Sequence, residues 1–194
     1  MSEFQLFLQM GFEHISDPNG YDHILFILAL CAVYQPADWK QVLVLVTAFT
    51  LGHSITLALA TMQLVNVNGE LIEFLIPVTI FLTAVFNYFH DSKKTVQKIN
   101  QRYFVALFFG LIHGLGFSNY LRSLLGKDES IFTQLLAFNI GLELGQLMIV
   151  AIIMLFTFLF GNIGNVKKRE WNLLLSGAAG GIAFIMMLER NIFF

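Results

Sequence analysis

The chemistry open to this chain rests on a few polar side chains set in otherwise apolar runs. His53 lies in Thr47-Ala48-Phe49-Thr50-Leu51-Gly52-His53-Ser54-Ile55-Thr56, with Thr50 about one helical turn before it and Ser54 beside it. His113 lies in Gly110-Leu111-Ile112-His113-Gly114. Glu143 lies in Asn139-Ile140-Gly141-Leu142-Glu143-Leu144-Gly145-Gln146, where i, i+4 and i+7 spacing puts Asn139, Glu143 and Gln146 on one helical stripe. Earlier in the chain, His14 and the pair Asp22-His23 flank Asp17-Pro18-Asn19-Gly20. Imidazole with carboxylate suits zinc, nickel, cobalt, copper or iron, whereas an all-oxygen set suits magnesium or calcium. A single cysteine excludes an intrachain disulfide and every cysteine-based zinc motif. The candidate ligands are therefore His14, Asp22, His23, His53, His113 and Glu143. Thr50, Ser54, Asn139 and Gln146 are supporting groups, and Asn87 is a polar stepping stone further along a pathway. Asp22 cannot share a helix face with the adjacent His23, so it is either a further ligand or a group that orients a histidine.

The elements that must position these groups follow from composition. The 194 residues are 57% hydrophobic and 12% charged, against about 25% charged in soluble domains. So much apolar surface exceeds what a soluble domain of this size can bury, so lipid is the expected solvent. Eleven Lys and Arg with a net charge of -2 argue against a nucleic-acid partner. A span needs roughly 20 mainly apolar residues, and polar clusters divide the chain into Tyr21 to Tyr34, Trp39 to Leu64, Ile72 to Phe89, Tyr103 to Leu125, Phe132 to Phe160 and Trp171 to Leu188. The expected fold is a single-domain, all-α polytopic membrane bundle. It has about six transmembrane helices and, before the first, a short interfacial or re-entrant segment. That segment lacks the basic start and cleavage site of a signal peptide.

Orientation follows from basic residues. Lys93, Lys94, Lys98 and Arg102 follow the third span and Lys167, Lys168 and Arg169 the fifth, so both loops are expected in the cytoplasm and both termini outside. The rise of a helix puts His53 roughly 20 Å from the cytoplasmic start of its span, with His113 and Glu143 near mid-membrane. Gly110 and Gly114 flank His113, and Gly141 and Gly145 flank Glu143, at a spacing that lets backbones approach closely. A contact between these two faces would bring His113 and Glu143 together. Gly177, Gly180 and Gly181 read as packing residues, and His90 and Asp91 as a solvated helix end.

The residues Gly11-Phe12-Glu13-His14, Asp17-Pro18-Asn19-Gly20-Tyr21-Asp22-His23, the run at 47–56, His113-Gly114 and Phe138 to Gln146 resemble the HupE/UreJ family of bacterial membrane proteins. The resemblance covers nearly the whole chain and is strongest from Gly11 to Gln146. It implies an inner-membrane protein of a family whose members are regarded as nickel or cobalt permeases. It aligns His14, Asp22 and His23 with the family's first histidine signature, and His113 with a later histidine-glycine signature. Ile15-Ser16 stands between His14 and Asp17-Pro18, and His113 is single where the permeases carry a pair. In both respects the chain is similar to the family's second branch.

The expected function is transport or handling of a divalent transition metal (nickel, cobalt or zinc), with bilayer and metal ion as partners. The alternative is a zinc-dependent intramembrane hydrolase acting at the outer leaflet, with Glu143 or Asp22 as general base. A structural membrane protein with a metal-stabilised core is a further alternative. The metal readings predict that His53→Ala and His113→Ala abolish metal binding.

Overall fold

The computed structural model describes residues 2–89, 95–124 and 131–192, giving only the backbone at 95–100, 119 and 124. The described residues form helices α1 (Glu3–Ser16), α2 (Asp22–Cys31), α3 (Trp39–Thr61), α4 (Gly69–Tyr88), α5 (Thr95–Leu124), α6 (Ile131–Phe158) and α7 (Lys168–Glu189). Among them, α3 to α7 are the five long and apolar enough to cross a membrane. The protein is thus an all-α, multi-pass membrane bundle. The expected second to sixth spans correspond to α3 to α7, and the expected first span to the shorter α2.

The helices pack mainly as three pairs, α3 with α5, α1 with α6, and α4 with α7. Short α2 lies among them. It contacts α4, α6 and α7 through its backbone neighbourhood and sets Phe26 against Phe49 of α3 and Phe109 of α5. Its sequence, Asp-His-Ile-Leu-Phe-Ile-Leu-Ala-Leu-Cys, is apolar on every side beyond the first two residues, as a helix surrounded by others must be.

The segment before α2 forms α1 and packs along α6 within the bundle. α1 runs parallel to α6, with Glu3 bonded to Gln134 at the first turn of α6, and Leu8 and Phe12 against Gly141 and Gly145 further along. A Cβ at Gly11 would collide with Phe138 O, and one at Gly141 with Leu8 O. Only glycines permit this approach.

At Asp17 the chain breaks. Asp17 Oδ1 accepts from the Asn19 backbone N–H (2.8 Å), and Pro18 and Gly20 complete a non-helical link. α2 then carries the chain on to the other face, where Ala29 O accepts from Asn87 Nδ2 (2.6 Å) near the end of α4. At 1.5 Å per residue the two helices supply about 21 and 15 Å, enough for a core of about 30 Å. α1 and α2 are together long enough for one interrupted span, and the break between them falls beside buried His23.

Arg102 and the cluster Lys167 to Arg169 lie on the face opposite the start of α1. There Arg169 donates to Tyr88 O (2.6 Å) and Arg102 lies over the Tyr34 ring. His90, Asp91, Lys93, Lys94 and the side chain of Lys98 fall outside the described residues.

Candidate metal centre

The interruption sets His14, in the last turn of α1, beside His23, in the first turn of α2. Ring centroids are 4.7 Å apart. His53, midway along α3, lies 6.0 Å from each. His53 is held there by the parallel packing of α3 on α5, where Gly110 and Gly114 abut the backbones of Phe49 and His53 so closely that a Cβ would collide. One nitrogen from each of His14, His23 and His53 lies within 4.8 Å of the others. His23 is 5% exposed and His53 fully buried, yet His14 Nε2, His23 Nε2 and both nitrogens of His53 have no hydrogen-bond partner.

A buried polar atom left unpaired costs about 1–3 kcal/mol. Several such atoms on three neighbouring rings are readily explained by a shared ligand. Three neutral imidazoles form a set suited to zinc, nickel, cobalt or copper, and small ring movements bring such donors to about 2 Å from one ion. The residues present fit a metal.

Asp22 and His113 border this group. Asp22 Oδ1 accepts from the His23 backbone N–H (2.9 Å) and lies 3.1 Å from His23 Nδ1. That contact places the proton on Nδ1 and leaves the Nε2 lone pair for a metal. Asp22 Oδ2 lies 3.7 Å from Arg190 Nη1. His113 Nε2 is 2.9 Å from Thr79 Oγ1, whose single proton is directed to Ile76 O (2.7 Å). Thr79 therefore accepts from Nε2–H, which leaves a lone pair on His113 Nδ1, a buried atom without a partner. The His113 ring is 5.3 Å from that of His23.

The other expected site residues face elsewhere. The α6 stripe meets α3: Glu143 accepts from Thr47 Oγ1 (2.9 Å), and Gln146 Oε1 from Thr50 Oγ1 (2.6 Å). Asn139 donates to Leu135 O (2.8 Å), and Ser54 to Thr50 O (2.7 Å). Glu143 is half-buried on the α3–α6 seam and is not among the clustered donors. The α5 and α6 glycine faces do not meet, because α5 turns its pair to α3 and α6 turns its pair to α1. Asn87 joins a buried network, donating to Ala29 O and Ser176 Oγ (3.1 Å), while its own O accepts from Asn172 Nδ2 (3.0 Å). Thr79 and Arg190 were not legible as site neighbours. Pro77, which frees a backbone carbonyl beside them, is the one local sign.

Two cavities flank the centre. One of about 510 Å³ is lined by Glu13, His14, Asp17, Phe117 and Tyr120, and the Phe117 ring lies tilted, its centroid 3.9 Å from that of His14. The other, about 290 Å³, is lined by Asn87, Arg102, Phe26 and Phe109 on the far side of the histidines. Between them, Phe26 and Phe49 pack at 4.7 Å, each 1% exposed and each 5.2 Å from the His113 ring.

Because α1 rests chiefly on α6, His14 depends on that contact. Gly141→Val is expected to destabilise the protein by about 1–3 kcal/mol through overpacking. A lowered Tm together with weaker metal binding in detergent would show it, and an unchanged Tm would contradict the close-packed seam.

The family model described as HupE / UreJ protein matches residues 1–190. No curated protein and no solved structure matches the chain. With a match over almost its full length, the chain belongs to the HupE/UreJ family.

Proposed function

We propose that this protein moves a divalent transition-metal cation of the nickel or cobalt type across the inner membrane, using His14, His23 and His53 as its binding site. The observation that carries the reading is the convergence of unpaired imidazole nitrogens at the break between α1 and α2. Half-helix ends at mid-membrane are where transporters place ion sites. Membership of a family of, generally, nickel and cobalt transporters supports the same reading. Glu13 and Asp17 line the cavity that reaches His14, and carboxylates at a cleft concentrate cations. By the positive-inside rule, Arg102 and Lys167 to Arg169 support a cytoplasmic assignment for the opposite face and an outward-facing one for this cavity.

Protein reconstituted into liposomes loaded with a metal-sensitive dye tests the proposal. Saturable uptake of Ni²⁺ or Co²⁺ that disappears in His53→Ala is the expected result. Metal bound by the protein, with no uptake under any pH or voltage gradient, would overturn transport.

That second outcome would favour an intramembrane hydrolase, a reading with its own support in the tight, buried packing of Phe26 on Phe49 beside the histidines. There a zinc ion would supply hydrolytic chemistry, held by the three histidines with Asp22 orienting His23. Of the two carboxylates considered as general base, Glu143 is turned to Thr47 and Asp22 is engaged by His23 and Arg190.

A further inference from the structure

We propose that Arg190 is a positioning residue for the metal centre: it holds Asp22 as the orienting partner of His23 and keeps the carboxylate from becoming a ligand. The proposal rests on the metal-binding reading of the three histidines.

It begins at a proline. Pro77 in α4 has no N–H, so the carbonyl of Glu73, four residues earlier, loses its helical partner. Arg190, just past the end of α7, supplies one instead: its Nη1 donates to Glu73 O at 3.3 Å. The same nitrogen lies 3.7 Å from Asp22 Oδ2. The guanidinium is thus located by a backbone carbonyl as well as by the carboxylate, and it links α7, α4 and the start of α2.

Asp22 then has both oxygens engaged, Oδ1 with His23 and Oδ2 with Arg190. Its side chain is only 14% exposed, so little water competes for them. A carboxylate so held accepts the Nδ1 proton and leaves Nε2 as the only donor that residues 22 and 23 offer. Released from Arg190, Oδ2 is free to rotate toward the ion, converting a nitrogen site into a mixed nitrogen and oxygen site with a different metal preference. A guanidinium keeps its charge at every accessible pH, as this constant role requires.

The test uses full-length protein loaded with Co²⁺, whose visible spectrum and X-ray absorption report ligand type and number. Wild-type protein is expected to show imidazole ligands and no protein carboxylate. Arg190→Gln is expected to lower Co²⁺ affinity about 10–100-fold, the usual effect of losing an outer partner of a ligand, and to add a carboxylate oxygen to the spectrum. In an Asp22→Asn background the Arg190→Gln change should have almost no further effect, since the two act as a unit. A merely structural role would weaken both backgrounds alike. Arg190→Lys, which keeps the charge near Oδ2, is expected to retain the wild-type spectrum and serves if Arg190→Gln does not fold. Unchanged affinity and spectrum in Arg190→Gln, or a carboxylate signal in the wild type, would overturn the role of Arg190. A wild-type protein that binds no Co²⁺ would overturn the metal reading itself.

Discussion

His53→Ala is expected to abolish stoichiometric binding of a divalent transition metal, whereas His113→Ala is expected to keep one metal per chain at reduced affinity. His53 is the donor without alternatives. It is fully buried, neither of its nitrogens has a partner, and the His14 and His23 rings each lie 6.0 Å from its own. Removing it leaves two donors, too few for the three-imidazole sets that hold such ions. The loss should therefore exceed the roughly 10–100-fold that follows deletion of an outer-shell partner. His113 looks from the sequence like an equal ligand. In the structure its Nε2 is bonded to Thr79, and it lies outside the clustered triad, one ring beyond His23. Isothermal titration with Ni²⁺ or Co²⁺, alongside circular dichroism to verify folding, separates the two variants. One metal still bound by folded His53→Ala would remove the triad as the binding site.

The spans were legible because each of α3 to α7 carries a long apolar run closed by polar residues, and lipid leaves little latitude in how such a run folds. The histidines were legible for the complementary reason, since an imidazole in an apolar run is costly and needs a partner. Partner choice was not legible. Gly141 and Gly145 announce that some backbone approaches α6, but their spacing is satisfied equally by α5 or by α1, and α1 takes the place. The stripe of Asn139, Glu143 and Gln146 was correctly placed on one face of α6, yet the register between helices turns that face to Thr47 and Thr50 and not to the histidines. For Arg190 the one sign was Pro77, far away in the sequence. The arginine's tie to Glu73 spans 117 positions and exists because Pro77 withholds one N–H.

The remaining prediction concerns the route beyond the histidines. Phe26, Phe49 and Phe109 close it: the Phe26 ring lies 4.7 Å from Phe49 and 6.2 Å from Phe109, and Asn87, a polar group lining the lower cavity, is engaged with Ala29 and Ser176. An ion stripped of water and of ligands cannot cross such a layer, because desolvation costs several kcal/mol or more without compensating contacts. In a transporter these rings must move with each cycle. Replacing one should then join the outer cavity to the cavity of about 290 Å³ below. Phe26→Ala costs about 3–5 kcal/mol if the space does not collapse, so retained metal binding is the check that the variant is folded. Folded Phe26→Ala is expected to let metal into dye-loaded liposomes continuously and without saturation, where the wild type saturates. Uptake as saturable as in the wild type would show that these rings are not the barrier. Absence of uptake in both proteins, with metal still bound, would mark the layer as the floor of a one-sided site and turn the reading toward hydrolysis.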